Sequence, residues 1–526
     1  MTSILKYLNR ALLVLLLAAF AACSDNEGGN ESNGNGDDGN TETPADGDTY
    51  GYIKDTNGNS VEGVVVSDGY SCTATDAEGR YALTRNADAG FVFYSLPSAY
   101  KVSVDKTYKL PRFFARLQAG TARYDFTLEA LAAPEKRFDL ICIGDPQINE
   151  ASHAVRFKEE AGREIREYAA SAGVPCYGIT LGDHVNNKWT LFTNMVVALQ
   201  PEQTGVPVFA TIGNHDHEFP TADEKAARAK YESYFGPVDY SFNRGDVHVV
   251  SMDNVIHSCK ASADYEGGFT AAQYEWLKQD LSFVPKDKMV ILCVHIPFRG
   301  GWGTNSAHAD ADKYYDEVLD LLSQYEYAAI MSAHTHSNIN YIHRKNGKEI
   351  FEHVTGTTCG AWWRSTVCTE GTPIGFGLYR IDDNRMEEWA YRSVRHDEQF
   401  QIRLYRASDT FVGGAKYRFK QTGADQIVAN IWNWDPSWTV NVYENDVLSG
   451  QMTRNSDIDA WTVAYHIGLL NNTDSYRKSS DHMFHYTLKN PAAAVRVEAI
   501  DRFGNKYEQT VFTDPAEHPG DFHADF

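Results

Sequence analysis

The segment Val206-Pro-Val-Phe-Ala-Thr-Ile-Gly-Asn-His-Asp-His217 decides the fold of this 526-residue chain. An apolar run typical of a buried strand is followed by glycine and by side chains that can bind metal ions. Four other strand-like runs between 137 and 382 end in the same way, in the segments Gly144-Asp145-Pro146-Gln147, Gly182-Asp183-His184, His295-Ile296-Pro297 and Ala333-His334-Thr335-His336. Helical periodicity predicts helices between the strands, near 151–172, 189–200, 221–235, 270–282 and 310–324. Alternating strands and helices indicate an α/β fold, in which the carboxyl ends of the strands meet at one edge.

The polar residues at these strand ends predict a metal centre. The candidate ligands combine carboxylate and amide oxygens with imidazole nitrogens, which suits Mn²⁺, Fe or Zn²⁺. They are Asp145, Asp183, Asn214, His295, His334 and His336, with Gln147 as an extra candidate. One carboxylate can bridge two cations about 3.5–4 Å apart, a spacing that polarises a phosphoryl oxygen.

The five blocks, in this order, resemble the calcineurin-like metallophosphoesterase superfamily, in its bacterial exported form with N-terminal and C-terminal β-domains. The resemblance implies a four-layer αββα sandwich with two metal ions and hydrolysis of phosphate esters by a metal-bound hydroxide. It implies that Asp183 bridges the metals, that Asp145 and His336 hold the first, and that Asn214, His295 and His334 hold the second. His215 would then be the general acid rather than a ligand.

The sequence departs from the family pattern at two positions. Gln147 stands where the family has histidine, and a neutral amide oxygen is a poorer ligand than imidazole for Zn²⁺. Ala333 stands where the family has glycine. Either water or Asn186 is expected to complete the first metal's ligands if Gln147 holds it loosely, although Asn186 also fits a loop turn. Asp216 flanks a ligand and either binds a metal itself or supports the site by hydrogen bonds.

Three further residues are candidates for substrate contact. Arg299 follows His295 on a glycine-rich loop and either clamps a phosphate or lies on the surface. Trp362 and Trp363 either stack on a sugar or base or pack between domains. The expected substrate is a small-molecule or glycan-linked phosphate ester, with monoester and diester both open. The alternative is a surface binding or adhesion lipoprotein with a degenerate metal site, which only Gln147 supports.

Three domains are predicted. Residues 135–385 carry the metal-binding blocks. Residues 49–130 show short alternating runs and turn signals that resemble the carboxypeptidase-regulatory-like β-sandwich. Residues 390–526 are again rich in strand-like runs and predict a second β-sandwich.

The N-terminus predicts export and lipid anchoring. An unbroken apolar run of 12 residues, 11–22, is too short to span a bilayer and fits a signal peptide over 1–22. Small residues directly before Cys23 resemble a bacterial lipoprotein cleavage box, with an ordinary signal peptide as the alternative. Residues 23–48 are acidic and predict a disordered tether. The expected location is the cell envelope, with the membrane contacted through the lipid on Cys23.

Charge and cysteine content limit the remaining functions. The formal net charge of −23 disfavours general nucleic-acid binding, because an acidic chain repels phosphate backbones. Cys359 and Cys368 lie nine residues apart and could form a disulfide in an oxidising compartment or remain free. The sequence leaves the oligomeric state open.

Overall fold

The computed structural model describes residues 47–299, 313–407, 425–472 and 478–512. The predicted signal peptide, Cys23 and almost all of the predicted tether lie outside these residues. None of the helices in the described ranges is long and apolar enough to cross a membrane.

The N-terminal domain is a sandwich of two small sheets. Its strands are β1 (Thr49–Asp55), β2 (Val65–Ser67), β3 (Cys72–Ala74), β4 (Arg80–Leu83), β5 (Phe91–Tyr94), β6 (Phe114–Arg116) and β7 (Phe126–Leu128). One sheet has the order β4-β1-β7 and the other β3-β2-β5-β6. The indole N–H of Trp276, in the next domain, donates to the Ser67 hydroxyl over 2.9 Å, so the sandwich is docked on its neighbour.

The central domain supplies two large sheets. Its strands are β8 (Arg137–Ile143), β9 (Cys176–Leu181), β10 (Val208–Thr211), β11 (Tyr240–Arg244), β12 (Val247–Ser251), β13 (Val255–His257), β14 (Tyr265–Gly267), β15 (Met289–Cys293), β16 (Tyr327–Ser332), β17 (Ile339–Lys345), β18 (Lys348–Val354), β19 (Gly375–Asp382) and β20 (Arg385–Ser393). The first sheet has the order β10-β9-β8-β19-β20 and the second β11-β12-β15-β16-β18-β17, while β13 and β14 form a separate hairpin. The strands β8, β9 and β10 run parallel, as do β12, β15, β16 and β18.

Helices cover the outer face of each sheet. They are α1 (Ala151–Phe157), α2 (Arg163–Ser171), α3 (Phe192–Ala198), α4 (Pro201–Thr204), α5 (Glu224–Phe235), α6 (Ala271–Ser282) and α7 (Tyr315–Leu322). Strand β8 shows why layers form: Leu140 and Cys142 join the core between the sheets, whereas Ile141 and Ile143 pack with α1, α2 and α3. Successive side chains of a strand point to opposite faces of the sheet. A strand that is apolar throughout must therefore be covered by other elements on both faces. The predicted four-layer αββα sandwich is confirmed.

The C-terminal domain is built from two four-stranded sheets. Its strands are β21 (Arg403–Arg406), β22 (Gln426–Asn430), β23 (Thr439–Glu444), β24 (Val447–Gln451), β25 (Thr453–Ile458), β26 (Ser479–Thr487), β27 (Val495–Ile500) and β28 (Lys506–Gln509). The sheet orders are β21-β22-β26-β25 and β24-β23-β27-β28. The domain is not purely β, because α8 (Ala460–Val463) continues into a π-helical turn, Ala464–Leu469.

The cysteines in the described ranges are free thiols, Cys359 and Cys368 included. Both are fully buried, at 1 % and 0 % exposure. Of the two states left open by the sequence, the structure has the unpaired one.

Candidate metal centre

Two groups of buried ligand atoms lie together at the carboxyl ends of the central strands. One group is Asp183, His295 and His334, the other Asp145, Asp183 and His336, and within each group the atoms lie within 4.8 Å of one another. Asp183 Oδ1 is 3.3 Å from His295 Nε2, and Asp145 Oδ1 is 3.7 Å from His336 Nε2. Asp183 belongs to both groups, so its carboxylate is a candidate ligand for either ion.

Three buried polar atoms without hydrogen-bond partners show that the space between the ligand groups suits cations. Asp145 Oδ1, Gln147 Oε1 and His336 Nδ1 find no hydrogen-bond partner among the described residues. Each unsatisfied buried polar atom costs about 1–3 kcal/mol. Natural proteins seldom carry three such atoms in one place, and a metal ion would satisfy the two oxygens. The donor set of carboxylate, amide and imidazole groups therefore fits divalent metals of the Mn, Fe or Zn kind.

The orientation of Gln147 follows from its contacts with Asp183. Its Nε2 donates to Asp183 Oδ2 over 3.1 Å, and its backbone N–H donates to the Asp183 carbonyl over 2.7 Å. The amide nitrogen is thereby committed, and the amide oxygen is the atom left for a cation.

The second group extends to Asn214. Its Oδ1 lies 2.9 Å from His295 Nε2, which in turn lies 3.1 Å from His334 Nδ1. The other ring nitrogen of His295 donates to the Leu181 carbonyl over 2.7 Å and so fixes the tautomer that points Nε2 inward. Tyr265, which the sequence did not single out, places its hydroxyl 3.3 Å from His334 Nε2.

His215 borders the centre without joining either ligand group. Its backbone N–H donates to Asp183 Oδ1 over 2.8 Å, and its Nε2 is 4.0 Å from Asp183 Oδ2. Its Nδ1 lies 2.8 Å from Asn187 Oδ1, while the Asn187 Nδ2 donates to the Ser262 hydroxyl over 2.9 Å. Since the Asn187 amide oxygen accepts from Nδ1, the His215 Nε2 is the nitrogen available to a ligand.

The neighbouring Asn186, the residue considered as an additional ligand, has a different position. Its backbone N–H donates to the Ile148 carbonyl over 3.0 Å, and the side chain that reaches the site is that of Asn187. Coordination of a metal by Asn186 stays a prediction, and its neighbour Asn187 has a different role as the acceptor for His215 Nδ1.

The charges of the centre are strongly coupled. Burial opposes the charged form of His295, but the Asp183 carboxylate outweighs it and raises the pKa of His295 to about 9. Despite burial, the facing histidines hold the pKa of Asp183 below its ordinary value. Burial, reinforced by the Asp183 charge, raises the pKa of Asp145, and burial lowers the pKa of His336 to about 3. A cation between these groups would favour the ionised carboxylates and the neutral imidazoles.

Backbone strain is concentrated in the same residues. Asp145, Gln147, Asp183, His334 and His336 have φ values of +37°, +36°, +52°, +63° and +54°. Left-handed φ in non-glycine residues costs of the order of 1–3 kcal/mol each and is concentrated at functional sites. Gly182, at φ +95°, is required there for a second reason, since a Cβ would fall 2.4 Å from His295 Nδ1.

Neighbouring polar residues support the ligand loops. Asp216 accepts from the backbone N–H groups of His184 and Gly213 over 2.8 and 3.0 Å, and its Oδ2 lies 2.9 Å from His184 Nδ1. Both of its oxygens are therefore engaged within the protein. The C-terminal domain contributes Lys478, whose ammonium donates to the Thr335 carbonyl over 2.7 Å, between His334 and His336.

The three candidate substrate contacts have different environments. Trp362 is partly exposed, and its ring lies 5.0 Å from that of His336. Trp363 is only 2 % exposed, and its N–H donates to the Pro146 carbonyl over 2.9 Å, so its ring is a packing element rather than an open stacking surface. Arg299 is exposed and lies over the Tyr341 ring, 5.5 Å from its centroid.

Comparison with known families gives three consecutive matches. A model described as calcineurin-like phosphoesterase matches residues 125–338. Models of the N-terminal and C-terminal parts of calcineurin-like phosphoesterases match residues 48–131 and 352–507.

Similar individual proteins are more distant. Purple acid phosphatase 23 of Arabidopsis thaliana is 26 % identical over 181 residues, which cover 31 % of this chain and 36 % of that protein. Purple acid phosphatase 18 of the same plant is 25 % identical over 182 residues, covering 32 % of this chain and 38 % of that protein. The chain thus spans little more than a third of the length of these relatives. A purple acid phosphatase from yellow lupin (Lupinus luteus) seeds superimposes with a TM-score of 0.36 at 14 % identity, covering 50 % of this chain and 53 % of that one.

Proposed function

Because the chain belongs to the calcineurin-like phosphoesterase family, we propose that it hydrolyses phosphate esters at the centre around Asp183. The observation that carries the proposal is the pair of buried ligand groups that share this one carboxylate. Asp145, Gln147 and His336 would hold the first ion, and Asn214, His295 and His334 the second. When bound, the two ions supply Lewis acidity and a nucleophile at neutral pH.

The chain's own residues then have separate tasks. The Leu181 carbonyl accepts from His295 Nδ1 and so holds His295 in one tautomer and orientation. The five strained backbone positions fix the ligand atoms before substrate arrives. In its imidazolium form, His215 donates from Nδ1 to Asn187 and carries a second proton on Nε2 at the edge of the centre, which it can transfer to the leaving oxygen.

The substrate is proposed only as a class, a small-molecule or glycan-linked phosphate ester. Protein stripped with a chelator should be assayed on 4-nitrophenyl phosphate and on bis(4-nitrophenyl) phosphate, with Mn²⁺, Fe²⁺, Zn²⁺ or Mg²⁺ added. The ratio of the two rates decides between monoesterase and diesterase. Asp183→Asn should lose metal and turnover together, whereas Asp239→Asn, a carboxylate outside both ligand groups, should keep both. An Asp183→Asn protein that still holds two metals by elemental analysis would refute the bridging role.

We further propose that a lipid on Cys23 anchors the protein in the cell envelope, on the basis of the apolar run and small residues before it. Cys23→Ala should move the protein from the membrane to the soluble fraction. Retention of that variant on membranes after a high-salt wash would place the anchor elsewhere.

A further inference from the structure

A groove lies between the central and C-terminal domains. Strand β17 lines one wall together with Arg299, and Trp434, Arg454 and β26 line the other. The groove includes Ile339, which comes three residues after His336. Even a fully extended chain places the Cα of Tyr341 no more than about 18 Å from that of His336, and the Cα of Arg299 no more than about 14 Å from that of His295. One elongated ligand can therefore reach both places.

Two arginines in this groove are stacked on aromatic rings. Arg299 Cζ lies 5.5 Å from the centroid of Tyr341, and Arg454 Cζ lies 4.5 Å from that of Trp434. Stacking holds the guanidinium plane while its N–H edge remains available to an anion. Arg454 uses one N–H on the Asp481 carbonyl, over 3.0 Å.

Among the described residues these two arginines have no carboxylate partner, although the protein is strongly acidic. The chain has 71 acidic against 48 basic side chains, yet neither Arg299 nor Arg454 forms an ion pair with a described residue. The third arginine of the groove, Arg344, differs because it pairs with Glu349 over 2.8 Å. The exposed Asp481 carboxylate also lines the groove and offsets part of the charge. Two positive charges from Arg299 and Arg454 face one from Asp481, so the groove favours an anion.

We propose that this groove binds a second anionic group of the substrate. The preferred substrate is then a phosphate ester that carries a further phosphate, sulfate or carboxylate far enough from the scissile group to lie in the groove. This inference rests on the proposed phosphoesterase function and adds the class of ester that the site selects. Domain packing explains the groove, because neither the central nor the C-terminal domain forms both walls.

The test uses linear alkanediols of increasing length, each as its monophosphate and its α,ω-bisphosphate. At the matching length, we expect KM to be about tenfold lower for the bisphosphate than for the monophosphate, with kcat unchanged. A tenfold change is what one or two charge-assisted hydrogen bonds at an exposed site contribute. The double variant Arg299→Gln/Arg454→Gln should remove this preference, so that the KM values of the bisphosphate and the monophosphate become equal at every length. The control is Arg123→Gln, since Arg123 also stacks on a ring, that of Tyr52 at 5.2 Å, but lies in the N-terminal domain.

Equal KM values for both substrates at every length would overturn the proposal, as would an unchanged preference in the double variant. Failure of the proposed function gives a different result, because neither substrate would then be hydrolysed with any added metal. Calorimetric titration with an alkane-α,ω-bisphosphonate supplies a readout without turnover. Binding that is weakened about tenfold by the double variant but not by Arg123→Gln supports the groove, and equal binding by all three proteins contradicts it.

Discussion

Replacing Gln147 by leucine should separate metal binding from folding stability. The Gln147 amide is 1 % exposed, and its oxygen has no partner among the described residues. An acceptor left in that state costs about 1–3 kcal/mol, which a cation would recover on binding. Leucine cannot bind the cation, so the affinity of the first site should fall by that amount, about 5- to 150-fold in Kd. The metal-free protein loses the bond from Gln147 Nε2 to Asp183 Oδ2 but is also relieved of the unsatisfied oxygen, so the two effects on its stability oppose each other.

Competition with a chromogenic chelator measures the affinity, and thermal unfolding of the stripped protein measures the stability. Gln401→Leu is the matched control: Gln401 is also fully buried and its Oε1 also lacks a partner, but it lies outside both ligand groups. It should leave the metal affinity unchanged. Gln147→His should bind metal more tightly than the unaltered protein, since imidazole is the stronger ligand for Zn²⁺. Equal affinity in Gln147→Leu and the unaltered protein would refute coordination by this amide.

Three further predictions concern the general acid His215, the supporting contact of Lys478 and the buried carboxyl group of Asp239. His215→Ala should keep its metal content and lose about 10²–10⁴-fold in kcat, and loss of metal would instead identify His215 as a ligand. Lys478→Met should release metal to a chelator faster, because the Thr335 carbonyl loses its donor, and Lys478→Arg should restore part of the retention; identical release rates would contradict this. Burial, opposed by the positive charge of Arg228, raises the pKa of Asp239 from its ordinary 3.8 to about 7. The folded state therefore binds this proton more tightly than the unfolded state. The free energy of unfolding should fall by about 2–4 kcal/mol as the pH rises through that interval. The Tm of Asp239→Asn minus that of the unaltered protein should therefore be more positive at pH 8 than at pH 5. A Tm difference that does not depend on pH would contradict the assignment.

The sequence predicted those parts of the site that depend on local pattern. Apolar runs followed by Asp145, Asp183, Asn214, His295 or His334 were sufficient to place the strand ends. Strand and turn residues can be recognised from a pattern of only a few neighbouring residues. The single helix expected over 151–172 is interrupted by a π-helical turn at Lys158–Gly162, which hydrophobic periodicity does not register. Strands β17 to β20 were not anticipated either, although β19 pairs with β8 in the middle of the first sheet.

The contacts that support the metal centre could be identified only from the tertiary structure. The contact of Asn187 with His215 was not foreseen, and stacking and packing were both left open for Trp363, because side-chain direction in a loop has no period. Lys478 reaches Thr335 from 143 residues away in sequence. Contacts of this separation depend on how whole domains dock, so no local pattern marks them.

The sequence by itself determined which residue types stand at the strand ends, and hence the α/β class and the chemistry of the ligand set. Only the tertiary structure decided that Asp183 is shared by two ligand groups, that the Gln147 oxygen is left without a partner, and that Arg299 and Arg454 face one groove. The physical reason is range. Strand periodicity and turn chemistry act over a few residues, whereas distances between side chains of different strands and domains are set by the packing of the complete core.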